Sequence, residues 1–562
     1  MRLKKVVAVS LCAVSLLGLA ACASNNSAST TKKSASTSSS NTKILSNVTY
    51  QHAVKYYRGG TTYSGKAKSL KLDTKKYTTK TITVNKKKIK VRCYTNLTYV
   101  SKPVSTKYQT MNIYVPEKYF HNGKINGYTK TTAPIFMPNN VGGYMSGTAG
   151  TLTGGSSSGA APSGSTGKMS GTKPSGKAPS GSGSSTSLNA NGGASTTSAS
   201  QKAISEGYIV AAPGARGRDA KQNGKYTGKA PAGIVDLKAA VRYLKYNSSR
   251  LPGNTNRIIS DGTSAGGALS ALLGSTGNSK AYAPYLKAIG AANTSDNIYT
   301  AVAFCPITNL DHADSAYEWQ FNGINSISGG GTPGSTNTAT TLTTKQKKAS
   351  QQLKADFVTY VNGLNLKNGS TKLQLNSDGT GSFATLVEKE IMNSAQTALD
   401  NGTTITTKKY PWLTIKNKQV TAVNLTKYFK SVGRSKATPA FDAFDISNAE
   451  NIEFGDSTTN AKHFTNFSMQ RNTAKQATQA DSSIVKLMNP MAYIGSDNAT
   501  LAKHFWIRYG EKDANTSVAV PTLLSQKLKN AGADVNYHVQ WNTGHAGDYD
   551  LNAMFKWLNS KM

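Results

Sequence analysis

The chain has 562 residues, enough for a large core, and its 66 Lys and Arg outnumber its 27 Asp and Glu, giving a formal net charge of +39. The four cysteines are too few to staple a domain of this size, and none has the spacing of a zinc site. The lysines are scattered among Thr, Ser and Asn rather than interleaved with aromatic residues, so we expect no nucleic-acid partner. The charge instead predicts a solvated cationic surface that anionic cell-wall polymers or lipid headgroups would attract.

The N-terminus has the parts of an export signal. Basic residues at Arg2–Lys5 precede an apolar stretch, Val6–Leu19, and small residues then lead to Cys22. This ending resembles the bacterial lipobox, in which the cysteine is lipidated and becomes the mature N-terminus. An ordinary cleaved secretory signal is the alternative. We therefore expect residues 1–21 to be removed and Cys22 to anchor an exported lipoprotein on the outer side of the cell membrane through a disordered tether, 22–45.

Strand and helix patterns alternate through much of the remaining chain. Period-two alternation and short apolar runs predict strands, and apolar residues recurring every three or four positions predict helices. In chain order the predicted elements are the hairpin Thr81–Val100, strands Met111–Val115, Ala133–Met137 and Tyr208–Ala212, helix Ile234–Leu244, strand Arg257–Ser260, helix Ala265–Leu273, strands Ala301–Cys305 and His504–Arg508, helix Val518–Leu528, strand Val535–Val539 and helix Leu551–Leu558. This order predicts an α/β fold, a mostly parallel sheet with helices on both faces.

Two segments interrupt the alternation. From Met145 to Ser200 almost every residue is Gly, Ser, Thr, Ala or Pro, and almost none of them can enter a core, which predicts a disordered insert. Between about Asp311 and Asn489 the clear helical patterns are Leu353–Leu364 and Phe383–Leu399, and we interpret this segment as an inserted cap, or lid, over the C-terminal edge of the sheet. The predicted organisation is a core in two parts, 46–310 and 490–562, with the cap at 311–489 between them.

The run Gly262-Thr263-Ser264-Ala265-Gly266 has the pattern G-x-S-x-G directly between a predicted strand and a predicted helix. There a serine lies at a sharp turn with its hydroxyl exposed above the sheet, and small neighbours let the backbone pass close to itself. The helix N-terminus behind it favours developing negative charge. A chance turn is the alternative in a chain with 51 glycines. We predict that Ser264 is the nucleophile of a serine hydrolase.

A serine nucleophile needs a base to take its proton and a carboxylate to orient that base. In the α/β-hydrolase fold the three follow in the order serine, acid, histidine, each after a strand. His545 follows the last predicted strand and is the predicted base, and Asp513 follows the strand before it and is the predicted acid. Asp311 is the rival acid. Glu511 lies close in sequence, but we expect its side chain to point outward.

The oxyanion of the tetrahedral intermediate needs two backbone N–H donors. Ala265, directly after the nucleophile, would supply one. Gly142 and Gly143 follow an early predicted strand, where lipases and esterases carry H-G-G-G, and they would supply the other. Asn139-Asn140-Val141 replaces the first part of that motif, so the choice between the two glycines stays open. A plain turn at the strand end is the alternative.

Four segments together resemble the bacterial tannases, which are tannin acyl hydrolases of the kind found in lactobacilli and are related to feruloyl esterases. The segments are Pro213–Arg218, Gly262–Gly267, Asp513–Pro521 and Gly544–Leu551. The resemblance extends from about Met111 to the C-terminus, apart from the Gly/Ser-rich insert. It implies hydrolysis of small aromatic esters, galloyl esters first, with no cofactor and no metal.

The resemblance also implies substrate-binding residues. In such tannases a lysine and a glutamate of the cap grip the galloyl hydroxyls, and the segment from Lys436 to Glu450 resembles that part of the cap. The alternative is a surface lysine and a glutamate at a helix start. The family has a second aspartate two residues past the triad acid, whereas this chain has Asn515, which can bind a phenol without a charge.

Other functions stay open from the sequence. One is a feruloyl esterase, a generic carboxylesterase or an exopeptidase of the same fold. A second is a non-catalytic surface-binding lipoprotein on a dead hydrolase fold, which we would expect to have lost its nucleophile, base or acid.

Overall fold

The computed structural model describes residues 63–153, 187–188, 194–195, 198–328 and 340–562. Its centre is a nine-stranded sheet in the order β1-β2-β3-β5-β4-β6-β7-β8-β9. The strands are β1 Thr78–Val84, β2 Lys87–Thr98, β3 Thr110–Pro116, β4 Ile135–Pro138, β5 Ile209–Pro213, β6 Ile258–Thr263, β7 Thr300–Phe304, β8 His504–Gly510 and β9 Asp534–Gln540. The neighbours from β1 to β5 pair antiparallel, and all pairs from β5 to β9 are parallel. The predicted mostly parallel sheet and the hydrolase fold class are confirmed.

The two faces of the sheet carry two separate hydrophobic clusters, because alternate residues of a strand point to opposite sides. In β5, for example, Ile209 and Ala211 belong to the larger cluster and Val210 and Ala212 to the smaller one. Helices cover both faces. The helices of the catalytic core are α1 Ala199–Glu206, α2 Ala232–Tyr246, α3 Ala265–Ser275, α4 Ala283–Ala288, α12 Ala519–Asn530 and α13 Leu551–Lys561.

The long segment between β7 and β8 carries the remaining helices, although these two strands are neighbours in the sheet. The helices are α5 Leu310–Phe321, α6 Thr344–Gly363, α7 Ser382–Asp400, α8 Leu425–Val432, α9 Ala449–Glu453, α10 Asn466–Met469 and α11 Ser482–Leu487. Helix α5 packs along α6, and α7 packs against the edge strand β9 and the ribbon Leu413–Lys416/Gln419–Val423. The two helical patterns predicted here correspond to α6 and α7.

Short elements complete the fold. They are the 3₁₀ turns Glu117–His121, Lys280–Tyr282 and Pro490–Ala492, and the ribbons Ser187–Leu188/Ala194–Ser195, Lys221–Gln222/Lys225–Tyr226, Ser326–Ile327/Thr340–Thr341 and Lys367–Asn368/Thr371–Lys372. Within the described ranges no helix combines the length and the apolar composition that crossing a membrane requires.

The bounds predicted for the disordered insert, Met145 to Ser200, are wrong at both ends, where the chain packs against the core. Leu152 is 2% exposed and Ala199 is 3% exposed, and both belong to the smaller hydrophobic cluster. Ser198 caps α1 by accepting a hydrogen bond from the backbone N–H of Gln201. The composition hid these contacts because the anchoring residues are few and small. Residues 154–186, 189–193 and 196–197 lie outside the described ranges, as do the predicted signal, Cys22 and the tether.

Candidate active site

Ser264 stands between β6 and α3 in a backbone conformation that few side chains adopt, with φ 61° and ψ −121°. The turn is tight enough that a Cβ on Gly262 would lie 2.3 Å from the carbonyl oxygen of Gly266. A Cβ on Gly267 would lie 2.6 Å from the carbonyl oxygen of Phe304. Small residues are therefore required around Ser264, as the motif indicates.

The structure brings the three predicted residues into one chain of hydrogen bonds. Ser264 Oγ lies 2.8 Å from His545 Nε2, and His545 Nδ1 lies 2.7 Å from Asp513 Oδ2. Burial lowers the pKa of His545, but the charge of Asp513 and the bond between them outweigh this effect and raise that pKa above its ordinary value. With its proton held on Nδ1 by Asp513, the imidazole presents Nε2 to accept the serine proton.

Asp513 is buried and held by the backbone of its own loop. Its side chain is 0% exposed, and Oδ1 accepts a hydrogen bond from the backbone N–H of Asn515 at 2.8 Å. The rival acid, Asp311, instead accepts a hydrogen bond from the side-chain amide of Asn489. The structure therefore offers Asp513 as the orienting acid.

Glu511 does not point outward, so that expectation is wrong. It is 2% exposed, burial raises its pKa to about 7, and it accepts a hydrogen bond from the backbone N–H of Asn542. It thus ties the triad-acid loop to the loop that leads to His545. The sequence position alone, two residues before Asp513, gave no signal of this.

The predicted oxyanion loop follows β4. Among the described residues, none accepts a hydrogen bond from the backbone N–H of Ala265, Gly142 or Gly143. A Cβ on either glycine would meet no atom within 4 Å, so the loop faces open space. Gly143 has φ 53°, a left-handed conformation that favours glycine. These N–H groups are therefore free for a ligand.

Arg218 holds this loop, a role that sequence reasoning missed. Its Nε donates to the carbonyl oxygen of Gly143 at 2.8 Å, and its backbone N–H donates to that of Tyr144 at 2.8 Å. Ser146 adds a further clamp, since its hydroxyl accepts a hydrogen bond from the backbone N–H of Gly217. From the sequence, the segment Pro213–Arg218 contributed only to the family resemblance. Its two arginines directly after a predicted strand are a signal that could have indicated side chains bonded to a neighbouring loop.

Lys436 and Asn515 lie on two segments that the hydroxyl of Tyr317 joins by hydrogen bonds. The hydroxyl of Tyr317, on α5, accepts hydrogen bonds from the backbone N–H groups of Ser435 and Lys436, each at 3.1 Å. The same hydroxyl donates to the carbonyl oxygen of Ala514 at 2.9 Å. The segment with Lys436 is thereby bonded to the loop that carries Asp513 and Asn515. The ammonium of Lys436 lies 4.0 Å from the ring centre of Phe441.

Glu450 lies in the first turn of α9 and is 6% exposed. Its neighbourhood includes Tyr144 of the oxyanion loop, since burial and the charges of Glu453 and Glu450 raise the pKa of that tyrosine well above its ordinary value. Glu453 is buried beside Lys229, and burial lowers the pKa of Lys229 to about 8 although Glu453 opposes the shift. Glu450 therefore lies near Tyr144 of the predicted oxyanion loop, and the segment of Lys436 is bonded through Tyr317 to the loop that carries Asp513.

Comparisons with known proteins identify relatives of the chain. Residues 181–364 match the family model BD-FAE. The chain is similar to a tannin acyl hydrolase from Lactobacillus plantarum, with 40% identity, a TM-score of 0.77, and coverage of 88% of this chain and 98% of that one. It is similar to a Fusobacterium nucleatum tannase, with 44% identity, a TM-score of 0.77, and coverage of 88% and 99%.

A third similar structure is a tannin acyl hydrolase in complex with ethyl gallate, with 40% identity, a TM-score of 0.76, and coverage of 87% of this chain and 98% of that one. No curated protein matches the chain.

Proposed function

The chain belongs to the tannase family of ester hydrolases, and we propose that it cleaves esters of hydroxylated aromatic acids, galloyl esters first, with Ser264 as its nucleophile. The observation that carries this proposal is the unbroken chain of hydrogen bonds from Ser264 through His545 to Asp513. Its relatives include a tannin acyl hydrolase in complex with ethyl gallate and another in complex with 3,4-dihydroxybenzoate, so a phenolic acyl group is the substrate to test first.

The proposed reaction has two halves. In the first, Ser264 Oγ attacks the ester carbonyl while His545 takes the serine proton. Negative charge then develops on the carbonyl oxygen, which accepts hydrogen bonds from the N–H of Ala265 and one N–H of the Gly142–Gly143 loop. His545 then gives the proton to the leaving alcohol, which leaves an acyl group on Ser264. In the second, water repeats the attack with the same base and frees the acid.

Acyl specificity is proposed to come from Lys436, Glu450 and Asn515. A cation and an anion at the two sides of the site can bond adjacent phenol hydroxyls, and Asn515 can bond a third without a charge. The family resemblance implies a carboxylate where this chain has Asn515, so we expect a less strict preference for gallate over hydroxycinnamates. The BD-FAE match supports ferulate esters as the second substrate class.

The test is hydrolysis of methyl gallate, methyl ferulate and p-nitrophenyl acetate by the purified protein and by Ser264→Ala. The variant should lose several orders of magnitude in kcat on all three esters. Residual activity above a few per cent would exclude Ser264 as the nucleophile. A wild-type protein inactive on every ester would favour a non-catalytic binding role instead.

A second pair of variants tests the acyl pocket. Glu450→Gln should raise KM for methyl gallate by about ten- to a hundredfold, because a charge-assisted hydrogen bond contributes roughly 1.5–3 kcal/mol. The KM for p-nitrophenyl acetate should stay almost unchanged, since acetate has no ring hydroxyl. The control is Glu388→Gln, at a half-buried glutamate of α7, which should change KM for neither ester. Equal losses on both esters in Glu450→Gln would assign Glu450 to the fold.

We further propose that the protein is exported and anchored to the outer side of the cell membrane by a lipid on Cys22. Removal of Arg2, Lys4 and Lys5 with the signal leaves a net charge of +36 of the original +39, which would attract anionic wall polymers. Cys22→Ala should release the protein from the membrane fraction. If that variant stays with the membrane and high salt then strips it off, the cationic surface is the anchor.

A further inference from the structure

Cys305 is the first residue after β7, and the proposed reaction makes no use of it. Its side chain is buried and its φ is 42°. The thiol Sγ lies 2.9 Å from the carbonyl oxygen of Ala546, the residue that follows His545. Cys305 therefore packs directly against the loop that carries the catalytic base.

Cys305 does not stand alone. Its Sγ, a carboxylate oxygen of Asp513 and a ring nitrogen of His545 all lie within 4.8 Å of one another, and no other trio of His, Cys, Asp or Glu in the described residues converges in this way. The three groups come from the loops after β7, β8 and β9, so the packing of neighbouring parallel strands fixes their convergence. Sulfur, imidazole nitrogen and carboxylate oxygen are the ligands that Zn²⁺ uses in proteins.

We propose that Cys305, Asp513 and His545 form a binding site for a soft divalent cation, Zn²⁺ or Cd²⁺, and that a bound cation turns the hydrolase off. Binding forms metal–sulfur, metal–nitrogen and metal–oxygen bonds and releases the thiol proton to solvent, with no change of oxidation state. Cys305 and Asp513 are buried and the side chain of His545 is 17% exposed, so we expect a cation to enter past His545, whose Nε2 faces Ser264.

Inhibition follows whichever ring nitrogen the cation takes. A cation on Nε2 blocks the atom that faces Ser264. A cation on Nδ1 moves the ring proton to Nε2, because a neutral imidazole has one proton and two nitrogens. In both cases Nε2 loses the lone pair that accepts the serine proton, so kcat should fall while KM for the ester stays nearly constant. This inhibitory step rests on the proposed triad, whereas the binding site itself does not.

The experiment titrates CdCl₂ and ZnCl₂ into the full-length protein without thiol reductant and follows p-nitrophenyl acetate hydrolysis, with MgCl₂ as the hard-cation control. Cys305→Ser replaces the thiol by a hard oxygen, and Cys93→Ser is the matched control because Cys93 is the other buried free thiol among the described residues. Each variant is compared with its own activity in the absence of metal.

We expect Cd²⁺ to inhibit the wild type and Cys93→Ser at the same concentration and EDTA to restore both. Outer-shell partners of a metal are worth about 10- to 100-fold in affinity, so loss of a direct ligand should raise the half-inhibiting concentration by at least about tenfold in Cys305→Ser. Equal inhibition of Cys305→Ser, or equal inhibition by Mg²⁺, would overturn the proposal.

Binding is measured separately from activity through the ultraviolet charge-transfer band that a thiolate gives with Cd²⁺. We expect this band in the wild type and in the inactive Ser264→Ala, and we expect Cys305→Ser to lose it. His545→Ala should weaken the band. If Cys305→Ser does not fold, His545→Ala replaces it as the variant that tests the site. A band with no ester hydrolysis in the metal-free protein would refute the proposed function and keep the site. Absence of the band in a protein that hydrolyses esters would refute the site alone.

Discussion

The hydroxyl of Tyr317 offers a single-atom test of how the cap is joined to the catalytic loops. Tyr317→Phe keeps the ring and removes three hydrogen bonds, to the backbone of Ser435, Lys436 and Ala514. The carbonyl oxygen of Ala514 keeps its bond from Ser435 Oγ at 2.5 Å, so only two N–H donors lose their partners.

The expected cost follows from those two donors. A buried polar group left without a partner costs about 1–3 kcal/mol. Ser435 and Lys436 are half-buried, so water can replace part of the loss, and we expect the free energy of unfolding to fall by about 2–3 kcal/mol. The segment that carries Lys436 would also be held less firmly. We expect kcat/KM for methyl gallate to fall about tenfold, equivalent to about 1.4 kcal/mol, with a smaller effect on p-nitrophenyl acetate.

The assays are urea unfolding and steady-state kinetics on both esters. Tyr282→Phe is the matched control, because it makes the same chemical change at a buried phenol that donates to the carbonyl oxygen of Leu487. It should cost about 1 kcal/mol and leave the ratio of the two kcat/KM values unchanged. If Tyr317→Phe behaves like Tyr282→Phe in both assays, the Tyr317 hydroxyl does not connect the cap to the triad-acid loop in solution.

Three further predictions concern other parts of the molecule. Asn515→Asp should move the ratio of methyl gallate to methyl ferulate hydrolysis towards gallate, and an unchanged ratio would remove Asn515 from the acyl pocket. Burial raises the pKa of Asp548 to about 6, so the folded state binds this proton more tightly than the unfolded state. The free energy of unfolding should therefore fall as pH rises from about 4 through 6, and less so in Asp548→Asn. Leu152→Ala should cost about 2–5 kcal/mol in urea unfolding, and a negligible loss would mean that this end of the insert does not pack.

Much of the fold was predictable because each strand has a local signal. The strands from β4 to β8 are buried almost throughout, so they appear in the sequence as short apolar runs between polar turns. Chain order then places the residues that follow these strands at one edge of the sheet. That rule predicts Ser264, Asp513 and His545 at the same edge, and the structure has them within hydrogen-bonding distance.

The supports of the site were not predictable in the same way, because they depend on contacts between segments far apart in sequence. Arg218 donates a hydrogen bond to the carbonyl oxygen of Gly143. The hydroxyl of Tyr317 donates to the carbonyl oxygen of Ala514 and accepts from the backbone N–H of Lys436. An arginine or a tyrosine has no local pattern that says which distant carbonyl it will bond. The outward direction expected for Glu511 failed for the same reason, since its partner, Asn542, lies on the next loop.

These supports predict that acyl specificity and catalysis are coupled in this protein. The backbone N–H of Asn515 bonds the triad acid, and Ala514 beside it is bonded to the segment of Lys436 through Tyr317. We therefore expect a shift of that cap segment to displace the loop that carries Asp513, the hydrogen-bond partner of His545. On the other side, Arg218 holds the Gly142–Gly143 loop, which we propose as the second oxyanion donor. A substrate that fits the cap poorly is thus expected to lose kcat as well as binding, because its misfit is transmitted to the groups that stabilise the transition state.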